Sequence, residues 1–303
     1  MMKRAGIRIT GILLSMSIFL LNGCETGGTT SQSTPAGSAA GSTVGADQET
    51  QTTTGTTAVP VTHVAVGDKV EFHGKQWEVT FSDDFEGTRL NSQNWTYCPA
   101  WKRQDKENYW NRGQVTFPGN DCLSLGIEKE EDGNRILSGA IWTPNIFEQA
   151  YGYFEVRCRL QPAAGCWSAF WLMCDSQPSV GNGGVDGAEI DIVESPFFNR
   201  STIQHNIHWD GYAEDHGVAS SGDVIRPGLY TDFHTYALEW TKEEYIFYVD
   251  GEETWRTSAG GVCTVPCYLI LSVEAGSWGG ELIDEQLPAA FLVDYVRVYK
   301  ECE

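Results

Sequence analysis

"GAEIDIVESP", residues 187–196, sets three acids into six positions of a run that otherwise has the composition of a buried strand. Glu189, Asp191 and Glu194 are interleaved with Ile190, Ile192 and Val193. Residues two apart on a strand share a face, so Glu189 and Asp191 point one way while Ile190 and Ile192 point the other. Strict alternation turns Glu194 away from Glu189. A β-bulge near Ile192–Val193 absorbs one residue and returns Glu194 to the acidic face. Three carboxylates then line a single surface.

Two carboxylates facing one substrate are what glycoside hydrolysis requires. One must be ionised to attack the anomeric carbon, and the other must be protonated to supply the leaving oxygen. A third acid nearby helps hold the pKa values apart, because all three cannot ionise cheaply. Asp191, between the two, suits a partner that shares a proton with the nucleophile and positions it. The spacing alone also fits a solvated acidic strand edge or a calcium site.

Outward from this stretch the signals are β throughout. Residues 77–85, 151–160, 168–174, 202–209, 234–241, 245–251, 267–275 and 291–300 alternate or run apolar at strand length, and Asp132-Gly133 and Asp250-Gly251 mark turns between such runs. No long segment of helical period competes, and there is no internal repeat. Many antiparallel strands in one domain predict an all-β antiparallel β-sandwich of jelly-roll type. Gly-rich phosphate fingerprints and a Gly-x-Ser-x-Gly elbow do not occur.

Composition narrows the partners. The chain has 303 residues, 12% of them aromatic, and a formal net charge of −21. The aromatic content suits a globular core with rings to spare for stacking on sugars. Such a negative field disfavours nucleic acid and heavily sulfated glycans, which need clustered Lys and Arg. Residues 1–23 read as an export signal, with a basic start and an apolar stretch too short to span a bilayer comfortably. Leu21-Asn22-Gly23-Cys24 resembles a bacterial lipobox, which makes Cys24 a lipidated N-terminus on a membrane outside the cytoplasm; an ordinary secretory signal with a chance Cys is the alternative. Residues 24–62 are Thr, Ser, Gly and Ala with little apolar bulk, a flexible tether. The folded domain is 63–303, expected to be a monomer.

Beyond Cys24, eight cysteines remain. Disulfides are permitted in an exported chain, but spacing fixes no pairing. No Cys-x-x-Cys pair occurs, which argues against zinc, and several cysteines read as small buried hydrophobes.

Glu189-Ile190-Asp191-Ile192-Val193-Glu194 resembles the bulged Glu-x-Asp-x-x-Glu signature of glycoside hydrolase family 16, the family of laminarinases, agarases and carrageenases. Residues 77–95, 138–173, 233–252 and 294–299 are similar to the family's flanking segments, so the resemblance covers roughly 77–300. It implies a concanavalin A-like jelly roll with a concave glycan cleft and retaining, endo-acting hydrolysis of a β-glycan. Glu189 would be the nucleophile, Glu194 the general acid/base, and Asp191 the residue that orients Glu189. Trp167 corresponds to the family's cleft Trp. Trp171 shares its face, and His208 is expected on a neighbouring strand within reach of the acids. Trp110, Trp142 and Trp278 are further substrate-binding candidates. No cofactor is needed for the chemistry. A structural calcium on the convex face is implied, with Asp294, at the opening of the last strand, as its candidate ligand. Three features depart from the family pattern: Ser168 for a usual Pro, Glu274 within "SVEAGSWGG" (272–280), and the loop "HWDGYAEDHG" (208–217). All are expected where substrate is read. The expected substrate is β-1,3 or mixed-linkage β-1,3/1,4 glucan. A β-galactanase or transglycosylase of the same family is the alternative, and a non-catalytic glycan-binding lipoprotein is the alternative from another class.

Overall fold

A computed structural model of the protein describes residues 63–103, 107–119, 122–197 and 201–303. Residues 1–62, with the expected export signal, Cys24 and the expected tether, lie outside these residues. Among the described residues regular structure is almost entirely strand, in a nine-stranded and a twelve-stranded sheet.

The nine-stranded sheet carries the acids. Its order runs Gly217–Ser220, Thr202–Trp209, Glu189–Phe197, Cys166–Met173, Cys267–Ala275, Ala140–Trp142, Thr96–Tyr97. The other sheet centres on Gly152–Arg159 and Ala289–Glu301, flanked by His234–Trp240 and Leu123–Lys129. Pairing is antiparallel except where Asn108–Trp110 runs parallel to Ile136–Ser138. Between the sheets lies the core that alternation demands. Ile190, Ile192, Val193, Phe170, Leu172, Leu269, Leu271 and Val273 meet Phe154, Val156, Leu123, Leu125, Ile127, Val296 and Val298. Each such side chain withdrawn from water contributes about 1.5–3 kcal/mol.

Turn chemistry agrees with the sequence. Asp250 and Gly251 both take positive φ, 52° and 76°, and join Tyr245–Val249 to Glu252–Thr257. Two left-handed residues match the twist of the strands they join. Gly187, which opens the acidic stretch, is needed for close approach: a Cβ there would sit 2.5 Å from the backbone of Ser176 and Gln177.

Two expectations require correction. Asp294 does not open the last strand but lies inside Ala289–Glu301, because Ala289 and Ala290 already pair with Ile127 and Gly126. It falls where the register shifts between Arg157 and Cys158, and its carboxylate is paired with Arg157. Ser168 does not face substrate. It sits between Trp167 and Ala169 on the opposite, core-facing side, fully buried, and its hydroxyl accepts from the Gln161 N–H at 3.0 Å.

The face of the second sheet turned away from this core also holds a buried carboxyl group. Glu155 is 2% exposed and accepts a hydrogen bond from the Tyr295 hydroxyl at 2.8 Å. Burial pushes its pKa up to about 7. A carboxyl group whose folded pKa lies above its unfolded value favours folding fully below the unfolded pKa, and that benefit is lost as pH rises through the folded one. Urea unfolding should therefore find Glu155→Gln more stable than wild type at pH 8 by about 3 kcal/mol, with the difference vanishing near pH 4. A gain of equal size at both pH values would contradict burial of the charge as the cause.

Candidate active site

The acidic strand is bulged at the expected place. Against Cys166–Met173, Asp191 faces Trp171 and Val193 faces Phe170, so Ile192 is the extra residue. On the other side Asp191 pairs with Asn206 and Glu194 with Gln204, three steps against two. Ile192 and Val193 both enter the core, and Glu194 rejoins Glu189 and Asp191 on the outer face. His205 supports the irregularity. Its Nδ1–H donates to the Ile192 carbonyl at 2.6 Å, meeting a backbone group where the ladder is interrupted. Burial lowers the His205 pKa to about 4, so the ring is neutral at physiological pH.

Strand register then builds the outer face row by row. Asp191, Trp171, Ile270 and Trp142 form one row, and Glu194, Ala169, Ser272 and Ala140 the next. Trp167 stands opposite Glu274. Trp110, Trp167 and Trp171 pack into one aromatic cluster with Trp142 against it, and Trp278 meets Trp167 edge to face at 5.3 Å. All five candidate tryptophans thus gather beside the acids. Trp278 is 37% exposed and presents its ring to solvent, whereas Trp110 is only 2% exposed and acts from beneath. The Trp171 indole N–H is fixed by Ser272 Oγ at 3.1 Å.

The acids differ in their partners. Asn206 donates to Glu194 Oε2 at 2.8 Å, and the Tyr212 hydroxyl donates to Glu189 Oε2. His208 Nε2 lies 3.4 Å from Asp191 Oδ2, while His208 Nδ1 and His216 Nε2 share a hydrogen bond of 2.9 Å. Glu189, Asp191 and His208 each bring a side-chain atom within 4.8 Å of the other two.

Burial raises the pKa of all three carboxyl groups. For Asp191 the neighbouring Glu189 and Glu274 push further upward, and for Glu194 the neighbouring Asp191 does so. His208 opposes burial at both glutamates, helped by Asn206 at Glu194 and by the Tyr212 hydroxyl and the Arg103 guanidinium at Glu189, so Glu194 is raised well above its ordinary value and Glu189 less far. One acid is helped to stay ionised while the other holds its proton, the division that nucleophile and acid require.

Four contributors escaped the sequence reading. Arg103 places Nε and Nη2 at 3.2 and 3.0 Å from Glu274 Oε1, and its guanidinium lies 4.1 Å from the centre of the Trp110 ring. Tyr212 and His216 come from the loop singled out only as unusual. Trp101, half exposed, meets Trp142 edge to face at 5.5 Å and extends the aromatic surface. Asp294 belongs to neither of the two clusters of potential metal donors found among the described residues.

The chain matches the Glycosyl hydrolases family 16 description over residues 102–297. It is 31% identical over 251 residues to a beta-glucanase of Rhodothermus marinus, covering 75% of this chain and 86% of that one. It is 29% identical over 242 residues to a keratan-sulfate endo-1,4-beta-galactosidase of Sphingobacterium multivorum, covering 74% of this chain but only 55% of that relative. The structure resembles the endo-beta-1,3-glucanase of Pyrococcus furiosus with a TM-score of 0.65 at 26% identity, covering 78% of this chain and 98% of the other. With the bulged acids, the aromatic face and the sandwich in agreement, the chain belongs to glycosyl hydrolases family 16.

Proposed function

We infer that the protein is a retaining endo-acting glycoside hydrolase of β-1,3 or mixed-linkage β-1,3/1,4 glucan. The observation that carries this reading is the bulge that returns Glu194 to the face of Glu189 and Asp191, beside a continuous tryptophan surface. The glucanase identities of its relatives supply the substrate class. Glu189 attacks the anomeric carbon as Glu194 protonates the departing glycosidic oxygen. A covalent glycosyl-enzyme forms on Glu189. Glu194, now a carboxylate, takes a proton from water, and attack by that water releases the sugar with its β configuration retained. Asp191 holds Glu189 in place from the middle of the row. Trp278, set edge to face against the buried Trp167, supplies an exposed ring for sugars, and His208, beside Asp191, opposes the pKa rise of Glu189 and Glu194. A Cys24 lipid anchor and a 24–62 tether would hold the domain beyond a membrane surface, where polysaccharide is met before transport.

Cleavage of a β-galactan is the second reading, supported by the galactosidase relative and by Glu274 on the substrate face. The test is a product profile on laminarin, lichenan, agarose, carrageenan and mucin-type glycans. Oligosaccharides from laminarin or lichenan, with β-anomers appearing first by proton NMR, are expected. Release only from galactans would replace the substrate and keep the chemistry. Initial α-anomers would overturn the retaining mechanism, and binding without cleavage would make the protein a lectin.

A further inference from the structure

Away from the acids, three cysteines converge beneath the start of the acidic strand. Cys174 follows the strand Cys166–Met173, and Cys267 opens its antiparallel neighbour Cys267–Ala275. Met173 pairs with Tyr268, so Cys174 and Cys267 are next in register across the sheet. Cys263 arrives from the preceding loop. Its N–H donates to the Tyr245 hydroxyl oxygen at 2.7 Å, and its carbonyl accepts from the Trp240 indole at 3.1 Å. The Sγ atoms of all three lie within 4.8 Å of one another, and all three residues are buried.

We propose that Cys174, Cys263 and Cys267 form a structural site for a thiophilic d10 metal ion of the zinc class. Sulfurs sharing one ion at bond lengths near 2.3 Å stand roughly 3.8 Å apart, inside the 4.8 Å that contains all three here. The surroundings are polar, not those of three apolar fillers: the Ala188 carbonyl accepts from Cys174 and Cys267 and the Val265 carbonyl from Cys263 and Cys267. The Val265 N–H donates to Cys263 Sγ at 3.4 Å from within the Cys263–Cys267 loop, the kind of N–H support that stabilises a bound thiolate. Two oxygens stand ready for a fourth position. Ser176 Oγ lies 3.5 Å from Cys174 Sγ, and the Val265 carbonyl oxygen lies 3.6 and 3.5 Å from Cys263 Sγ and Cys267 Sγ. Asp175, Thr264 and Pro266 are exposed, so the sulfurs lie one residue beneath the surface and an ion has a short path in.

The sequence offered Cys-x-x-x-Cys at 263–267 and a third Cys almost ninety positions earlier, a pattern that does not read as a metal site until the sheet assembles it. The thiols lie in the core shared by the two sheets, not on the substrate face. Occupancy therefore ties two strands and a loop together without touching the chemistry. Each thiol that ligates gives up its proton to solvent, so binding weakens as pH falls.

The test uses the full chain, reduced and stripped of metal. Titration with Cd2+ should raise a cadmium–thiolate charge-transfer band in the ultraviolet that saturates at one ion per chain. Zn2+ should raise the unfolding midpoint progressively with its concentration. Cys174→Ser, Cys263→Ser and Cys267→Ser should each weaken Cd2+ by more than about 100-fold while glycan hydrolysis at low temperature stays at the wild-type rate. Cys302→Ser should leave the band intact. The wild-type titration is decisive even for a serine variant that fails to fold. No band at saturating Cd2+ would overturn the site. So would a disulfide between any two of the three, found by alkylation and mass spectrometry in protein purified without reductant.

Discussion

Glu194→Gln should lower turnover of polysaccharide by about 10²–10⁴-fold, and Glu189→Gln by on the order of 10⁴-fold or more, with both variants folded. The two losses have different causes, and each leaves a separate signature. Without Glu194 the leaving oxygen departs unprotonated, so an aryl β-glycoside with an acidic phenol should lose far less in glycosylation than the polysaccharide does. The glycosyl-enzyme still forms on Glu189, and added azide, which needs no base, should capture it as the β-glycosyl azide. Without Glu189 there is no covalent intermediate. In Glu189→Ala, which vacates the nucleophile's place, azide can enter only from that face, and the product should be the α-glycosyl azide. The anomeric configuration read by NMR thus assigns each role independently of rate. Matching configurations from the two variants would overturn the assignment, and near-wild-type turnover in either would remove that residue from the mechanism.

The bulge was legible because charge and apolarity conflict locally. Ile192 and Val193 both want the core and Glu194 wants the face of Asp191, and a single extra residue satisfies all three. Strands 202–209 and 267–275 match their sequence signals to the residue. Leu123–Lys129 carries the same alternation, with Leu123, Leu125 and Ile127 in the core, and was readable in principle. Other parts have no local signal. Arg103 reaches Glu274 across 171 positions from a strand of two residues. Tyr212 and His216 lie in an irregular loop with no period to place them. The cysteine cluster forms only through sheet register. Asp294 is a matter of strand bounds: the strand begins five residues before it, and a bulge at Arg157–Cys158 sets its carboxylate beside Arg157.

Arg103→Met should lower stability by about 3–5 kcal/mol, because it takes the Arg103 guanidinium away from the buried Glu274 carboxylate. Arg103 and Glu274 side chains are only 10% and 4% exposed, so water cannot take the guanidinium's place. For a domain of this size the unfolding midpoint should fall by roughly 10 °C. The pair also bears on catalysis. Arg103 opposes the rise in the Glu189 pKa, while Glu274 adds to it. Removing Arg103 alone should therefore move the acid limb of kcat/KM to higher pH, since the nucleophile must be ionised. Removing both charges, in Arg103→Met with Glu274→Leu, should bring back most of the stability, as apolar replacement of a buried pair often does. It should also return the acid limb toward its wild-type position, because two opposed influences on Glu189 leave together. The coupling from the four-variant cycle separates these cases. Independent losses that simply add would mean that Arg103 acts through its packing on Trp110 and not through its charge. A stability loss with an unmoved acid limb would confine the pair to holding the fold, and Glu189 would then be kept ionised by Tyr212 and His208.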